Sequence, residues 1–229
     1  MADYFLISCE HGGNRIPRRY RKYFAGHEAL LQTHRGYDPG ALTMARELAQ
    51  QLAAPLYYST VSRLLIDLNR SIGHPGLYSE VTRNLPERRE ILEQHYLPYR
   101  RRVASAIEQA LVQRARAVHI SSHSFTPQLE GDIRNVDVGL LYDPARKEET
   151  ELCKRWRAAL RVEAPDIVVR RNYPYTGKSD GLTAHLRRRF ASEHYLGIEL
   201  EINQRHVFQG GSAWRELRKA VIASLRQAM

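Results

Sequence analysis

Short apolar runs alternate along this chain with segments of helical period. Residues 4–9 (Tyr-Phe-Leu-Ile-Ser-Cys) form an apolar run that stops at Gly12-Gly13-Asn14, which predicts a buried strand. Leu42, Ala45, Leu48 and Leu52 recur every three or four residues and predict a helix over 41–53. By the same reading, strands are expected over 55–59, 117–122, 137–142, 167–170 and 195–202. Helices are expected over 148–161, 183–190 and 213–228. The Leu-rich, charged stretch 86–113 predicts one or two helices broken near Pro98. No repeat, low-complexity tract or linker interrupts the alternation, so residues 1–229 read as a single α/β domain with a mixed, largely parallel sheet. Ligands in such sheets bind beyond the carboxyl ends of the strands.

Composition narrows the function classes. No apolar run approaches the roughly 18 residues of a membrane span, and the acidic start at Asp3 does not suit a signal peptide. Cys9 and Cys153 are too few for a disulfide framework or a cysteine-based zinc site, which points to a reducing, cytoplasmic setting with both thiols as small buried hydrophobes. The net charge of +10 is mostly arginine, clustered at 15–21, 100–102 and 187–189. Such clusters suit RNA or another polyanion, or a solvated helix face, or a field that draws an anionic substrate into a cleft. No RNP-like or finger motif accompanies them, so the last two readings are preferred over nucleic acid. Nothing in the sequence fixes an oligomeric state.

Four polar groups fall near predicted strand ends. His11 follows the first strand beside two glycines, and His123 follows the strand at 117–122. Imidazole is the commonest metal donor. His119, four residues before His123, lies about 13 Å from it in extended chain and reads as a core residue. Glu199 and Glu201 share one face of 195–202 while Ile198, Leu200 and Ile202 take the other. Two carboxylates on an otherwise apolar strand are costly unless paired, hydrated or metal-bound. Arg63, Asp67, Asn69 and Arg70 are embedded in a Leu-rich run, and the arginines offer forked donors for a carboxylate or an oxyanion. Together these are the parts of metal-assisted hydrolysis. Gly-x-Ser-x-Gly, P-loop and dinucleotide fingerprints are missing from the sequence.

The ordered set Ser8-Cys9-Glu10-His11-Gly12-Gly13-Asn14, Tyr37-Asp38-Pro39-Gly40, Ser62-Arg63 through Asn69-Arg70, Ser122-His123-Ser124, Asp137-Val138-Gly139, Asn172-Tyr173-Pro174-Tyr175 and Gly197 through Ile202 resembles the N-formylglutamate amidohydrolase family. The resemblance implies a three-layer α/β/α sandwich, zinc-carboxypeptidase-like, around a mixed eight-stranded sheet. It implies one Zn2+ per chain held by His11 and His123, Glu201 as general base, and Arg63 as oxyanion donor. Asn69 and Arg70 would hold the carboxylate of a small anionic substrate, and Tyr175 would close over it. The residue three after His11 is Asn14, where zinc carboxypeptidases carry Glu, so the third ligand comes from elsewhere. Asp38 is the first choice and Glu10, next to His11, the competitor, while Asp38 could equally be a helix cap. The whole reading requires His11 and His123 to meet within about 8 Å of one another.

Overall fold

A computed structural model describes residues 2–113 and 115–229. Strands β1 (Ala2–Cys9), β2 (Leu56–Tyr58), β3 (Ala115–Phe125), β4 (Gln128–Leu129), β5 (Asp132–Ile133), β6 (Val138–Leu141), β7 (Val169–Arg171) and β8 (Tyr195–Asn203) follow one another in the chain. Six of them form a sheet in the order β2-β1-β3-β8-β6-β7. The first four of that order run parallel, β6 turns antiparallel to β8, and β7 follows β6. The expected mixed, largely parallel sheet is thus present. The eight strands do not form one sheet, however, because β4 and β5 pair separately as a two-residue hairpin.

The helices are α1 (Glu28–Leu31), α2 (Ala41–Gln51), α3 (Arg88–Ile91), α4 (Leu97–Val112), α5 (Lys147–Glu163), α6 (Leu182–Arg189), α7 (Gln204–Gln209) and α8 (Gly211–Ala228). They cover both sheet faces. Met44, Leu48, Trp156, Leu160, Trp214 and Val221 from α2, α5 and α8 pack on Ile7, Val118, Ile120, Ile198 and Leu200. Tyr99, Val103 and Ile107 of α4 and Leu182 and Leu186 of α6 pack on Leu6, Ala117 and Tyr195 on the other face. Trp156 fixes α5 to α8 by donating from Nε1 to the Val221 carbonyl at 3.1 Å. The stretch divides beside Pro98, which stands in the first turn of α4, and a π-helical segment, Leu92–Tyr96, links α3 to α4.

The face toward α4 and α6 changes character along the strands. Leu6, Ala117 and Tyr195 lie toward the amino ends. Ser8, Glu10, Ser121, His123, Glu199 and Glu201 follow toward the carboxyl ends, all buried. Alternation does place Glu199 and Glu201 opposite Ile198, Leu200 and Ile202. Among the described residues no helix is long and apolar enough to cross a membrane. The arginine clusters are not wholly exterior: Arg100 donates to the Leu68 carbonyl and Arg187 pairs with Glu149 inside the protein.

Candidate metal centre and substrate cavity

Three loops and two strands converge at the carboxyl end of β1. The turn after β1 is pressed against residues 59–60, where a Cβ on Gly12 or Gly13 would stand 2.9 Å from the Ser59 or Thr60 carbonyl oxygen. His11 accepts through its carbonyl from the Asp38 backbone N–H at 2.9 Å, and Gly36 accepts from the Arg63 N–H at 3.1 Å. These bonds stitch the 36–38 and 62–63 segments to the strand end. Asp38 makes no side-chain cap. The N-cap of α2 is Gly40, at φ +79°, where a Cβ would meet Val207 at 2.4 Å. The Asp38 carboxylate turns inward instead.

His11, Asp38 and His123 are buried, and one ligand atom from each lies within 4.8 Å of the others. The two imidazole centroids are 5.2 Å apart. Asp38 Oδ2 lies 2.8 Å from His123 Nδ1 and 3.3 Å from His11 Nδ1. The far nitrogen of each ring meets a different carboxylate. His11 Nε2 donates to Asp67 Oδ1 at 2.7 Å, and His123 Nε2 lies 2.9 Å from Glu10 Oε2 and 3.0 Å from the Ser121 hydroxyl. Glu10 also accepts from Tyr99 and Ser121 hydroxyls at 2.7 and 2.6 Å.

This pattern fits a cation. With each Nε2 set against a carboxylate, a neutral imidazole that keeps its proton there presents a bare lone pair at Nδ1. Two such lone pairs and a carboxylate oxygen then point at one place, which is repulsive without a positive charge between them. Metal-bound histidines characteristically give their second nitrogen to a carboxylate. In the metal-free protein a proton answers the same need. Burial works against a charged His123, but hydrogen bonds to Asp38 and Glu10 outweigh it and raise its pKa well above the usual histidine value. Burial likewise opposes ionisation of Asp38 and Asp67, yet the charges of His11 and Arg63 hold both well below the ordinary carboxylate range. Glu10 therefore stands behind His123, and Asp38 stands beside the point where the two rings meet.

Glu201 lies directly across the strand pair from His123. Its Oε2 is buried without a hydrogen-bond partner. Burial, with the neighbouring Asp38 and Glu199 carboxylates, pushes its pKa up to about 8 against the pull of His123. Arg63 donates to Asp67 Oδ2 at 2.7 Å and to Asp38 Oδ1 at 3.3 Å. Asn69 Oδ1 accepts from the Leu182 N–H at 2.7 Å. Arg70 Nη1 donates to the Asp180 carbonyl at 2.9 Å. Tyr175, 42% exposed, accepts from Arg134 at 3.0 Å. His11, Asp38, Arg63, Asn69, Arg70, His123, Tyr175 and Glu201 all line one cavity of about 220 Å³. A wider groove of about 520 Å³ shares His34, Arg63 and Tyr175 with it and reaches Arg35, Asp67, Tyr78 and Arg83.

The N-formylglutamate amidohydrolase family model matches residues 4–208. The chain belongs to this family. The family is one of amide-cleaving hydrolases. Among solved structures, the chain is similar to a gene product of Agrobacterium tumefaciens, at 28% identity and TM-score 0.83, covering 98% of this chain and 89% of that one. It is also similar to N-formylglutamate amidohydrolase from Ralstonia eutropha, at 17% identity and TM-score 0.71, covering 99% and 93%. A metallo-carboxypeptidase from Burkholderia cenocepacia stands further off, at 13% identity and TM-score 0.40, covering 99% and 56%. No curated protein matches the chain in sequence.

Within this amidohydrolase fold, several residues of the centre were not singled out by the sequence. Asp67 was visible in its motif, but its grip on His11, Arg63 and the Asn69 N–H was not. Glu10 was legible only as a rival ligand. His34 lies on the cavity wall. The His95 ring packs against Tyr20, with centroids 6.0 Å apart. His119 is a core residue, as its spacing implied, bridging the Ser8 and Tyr195 hydroxyls at 2.7 and 2.8 Å. The signal that points to Glu10 and Asp67 is chemical: each metal-binding imidazole needs an acceptor behind it.

Proposed function

We propose that this protein is a zinc-dependent amidohydrolase that removes a formyl or short acyl group from the amino nitrogen of a carboxylate-bearing amino acid. The observation that carries the reading is the pair of imidazoles whose inner nitrogens converge on Asp38 while their outer nitrogens lie against the carboxylates of Asp67 and Glu10. His11, Asp38 and His123 would hold the zinc. The donor set of two nitrogens and one oxygen suits zinc in a catalytic site, which keeps a further position open. When bound, zinc polarises the scissile carbonyl and makes water acidic enough to attack at neutral pH.

The chain's own groups do the rest. Asn69 and Arg70 fix the substrate carboxylate through the donors that Leu182 and Asp180 leave free. The amide carbonyl is thereby set beside Arg63, whose guanidinium is held by Asp67 and Asp38 and opens onto the cavity. Glu201 takes the proton of the attacking water as the new C–O bond forms. Arg63 stabilises the oxyanion of the tetrahedral species. Glu201 then gives its proton to the amine nitrogen as the C–N bond breaks, so free acid and free amino acid leave. A buried carboxyl with an upward-shifted pKa suits that second step, because it holds a proton readily near neutrality. Tyr175 closes the cavity mouth.

The test is a panel of N-formyl and N-acetyl amino acids incubated with zinc-loaded protein, with the freed amine measured. Release from N-formyl amino acids, lost in Arg63→Met, supports the reading. No release from any member of the panel overturns it.

A further inference from the structure

The cavity of the His–Asp–His centre opens on one side only into a second space. The cavity, about 220 Å³, is lined by Asn69 and Arg70 as well as by His34, Arg63 and Tyr175. The groove of about 520 Å³ shares the last three and neither Asn69 nor Arg70. It therefore joins the cavity at its Arg63 end, away from the proposed carboxylate clamp. Leu64, Tyr78 and Leu129 give the groove an apolar floor, with Pro75 and Gly76 beside them.

The groove is built into the segment that carries Arg63 and Asp67. Ser79 donates its hydroxyl to the Leu64 carbonyl at 2.6 Å, and the Asp67 N–H donates to the Leu77 carbonyl at 2.9 Å. Arg35 ties one wall to the other by donating to Glu80 at 2.7 Å. The Tyr78 hydroxyl donates to the Arg88 carbonyl at 2.8 Å, which fixes its ring. Both carboxylates of the lining are engaged, Glu80 by Arg35 and Asp67 by Arg63 and His11. What remains to meet a ligand is the apolar floor. A formyl group, one carbon and one oxygen, is comparable in size with one or two waters of about 30 Å³ each. A substrate that ended in formyl at Arg63 would use none of the groove.

We infer that the groove is an acyl subsite, and that the preferred substrate carries an unbranched apolar acyl chain of several carbons along Leu64, Tyr78 and Leu129. The inference rests on the proposed function for the direction of the substrate. With the carboxylate on Asn69 and Arg70 and the scissile carbonyl at Arg63, the chain on the far side of that carbonyl is the acyl group. It makes Leu129, on β4, a residue that sets acyl length.

The experiment measures kcat/KM for N-formyl-, N-butyryl- and N-hexanoyl-L-glutamate with the zinc-loaded wild type, Leu129→Trp and Gly76→Leu. In the wild type kcat/KM rises with chain length, by about fourfold for each methylene that leaves water. Leu129→Trp obstructs the groove and lowers the hexanoyl-to-formyl ratio about tenfold or more. A Cβ on Gly76 meets only the His74 ring, at 3.3 Å, so Gly76→Leu supplies the obstruction if the tryptophan variant does not fold. Calorimetric titration with hexanoate reads the groove without turnover, and its affinity falls in both variants. A wild type that cleaves the formyl compound and gains nothing from longer chains overturns the subsite and leaves the proposed function standing. So does a ratio, or a hexanoate affinity, that neither variant moves. Faster cleavage of N-formyl-L-alanyl-L-glutamate than of N-formyl-L-glutamate, lost in Leu129→Trp, puts the amine portion in the groove and also overturns it. If no compound of the series is cleaved, the proposed function fails and the acyl subsite fails with it.

Discussion

His123 on β3 and Glu201 on β8 are paired directly across two parallel strands, so an imidazole and a carboxyl share one wall of the cavity. The pairing follows from strand register alone. Glu201 therefore needs no loop movement to face the candidate metal centre.

Replacing Glu201 by Gln keeps the shape of that wall and removes its proton acceptor. The expected loss in kcat is about 10²- to 10⁴-fold, with bound zinc unchanged. Steady-state kinetics alongside metal analysis checks both parts. Stability responds in the opposite sense. The Glu201 pKa is about 8 in the folded metal-free protein and 4.5 in the unfolded reference. Between those values the folded state binds more protons, so the stability contributed by Glu201 is full below about 4.5 and is lost as pH rises toward 8. Denaturant midpoints of chelated wild type fall relative to Glu201→Gln across that window.

His119 predicts the reverse slope at lower pH. Burial depresses its pKa to about 4 from the usual 6.5. The unfolded chain takes up the proton first, so stability is full above 6.5 and declines as pH falls toward 4. His119→Gln flattens this acid limb, with little effect on zinc binding, in urea titrations at pH 4 to 7.

Asp67→Asn leaves the His11 ring without its anionic acceptor and Arg63 without its closest partner. Zinc affinity is expected to fall about 10- to 100-fold, as for other partners that orient metal ligands. Competition with a chromophoric chelator measures it. Glu10→Gln acts in the same direction through His123.

Gly177 sits at the base of the loop that carries Tyr175, and a Cβ there would lie 2.2 Å from the Tyr142 backbone nitrogen. Gly177→Ala must shift that backbone and displace the loop. The expected result is a raised KM with bound zinc unchanged, read in the same assay.

What the sequence made legible was the part written in periodicity. The apolar runs of β1, β3 and β8 gave their positions, although β3 extends to Phe125 and places His123 on the strand rather than past it. Period-two alternation put Glu199 and Glu201 on one face. The 3-10 helix Arg18–Phe24, α1, the β4–β5 hairpin and α7 were not legible, because each is too short to show a period. The burial of Arg134 was not legible either, since a lone arginine beside a hairpin reads as solvated. Choosing between Asp38 and Glu10 needed three dimensions. Both are near His11 or its motif, and only the directions of the two imidazoles place one in front and the other behind.

The central claim is that His11, Asp38 and His123 hold one divalent ion. The most direct measurement is the zinc content of the purified protein and of His11→Ala and His123→Ala. The account predicts about one zinc per chain in the wild type and almost none in either variant. Activity should disappear on chelation and return on adding zinc. Wild-type protein that hydrolyses its substrate at full rate with no bound metal would contradict the account, as would full zinc occupancy in both variants.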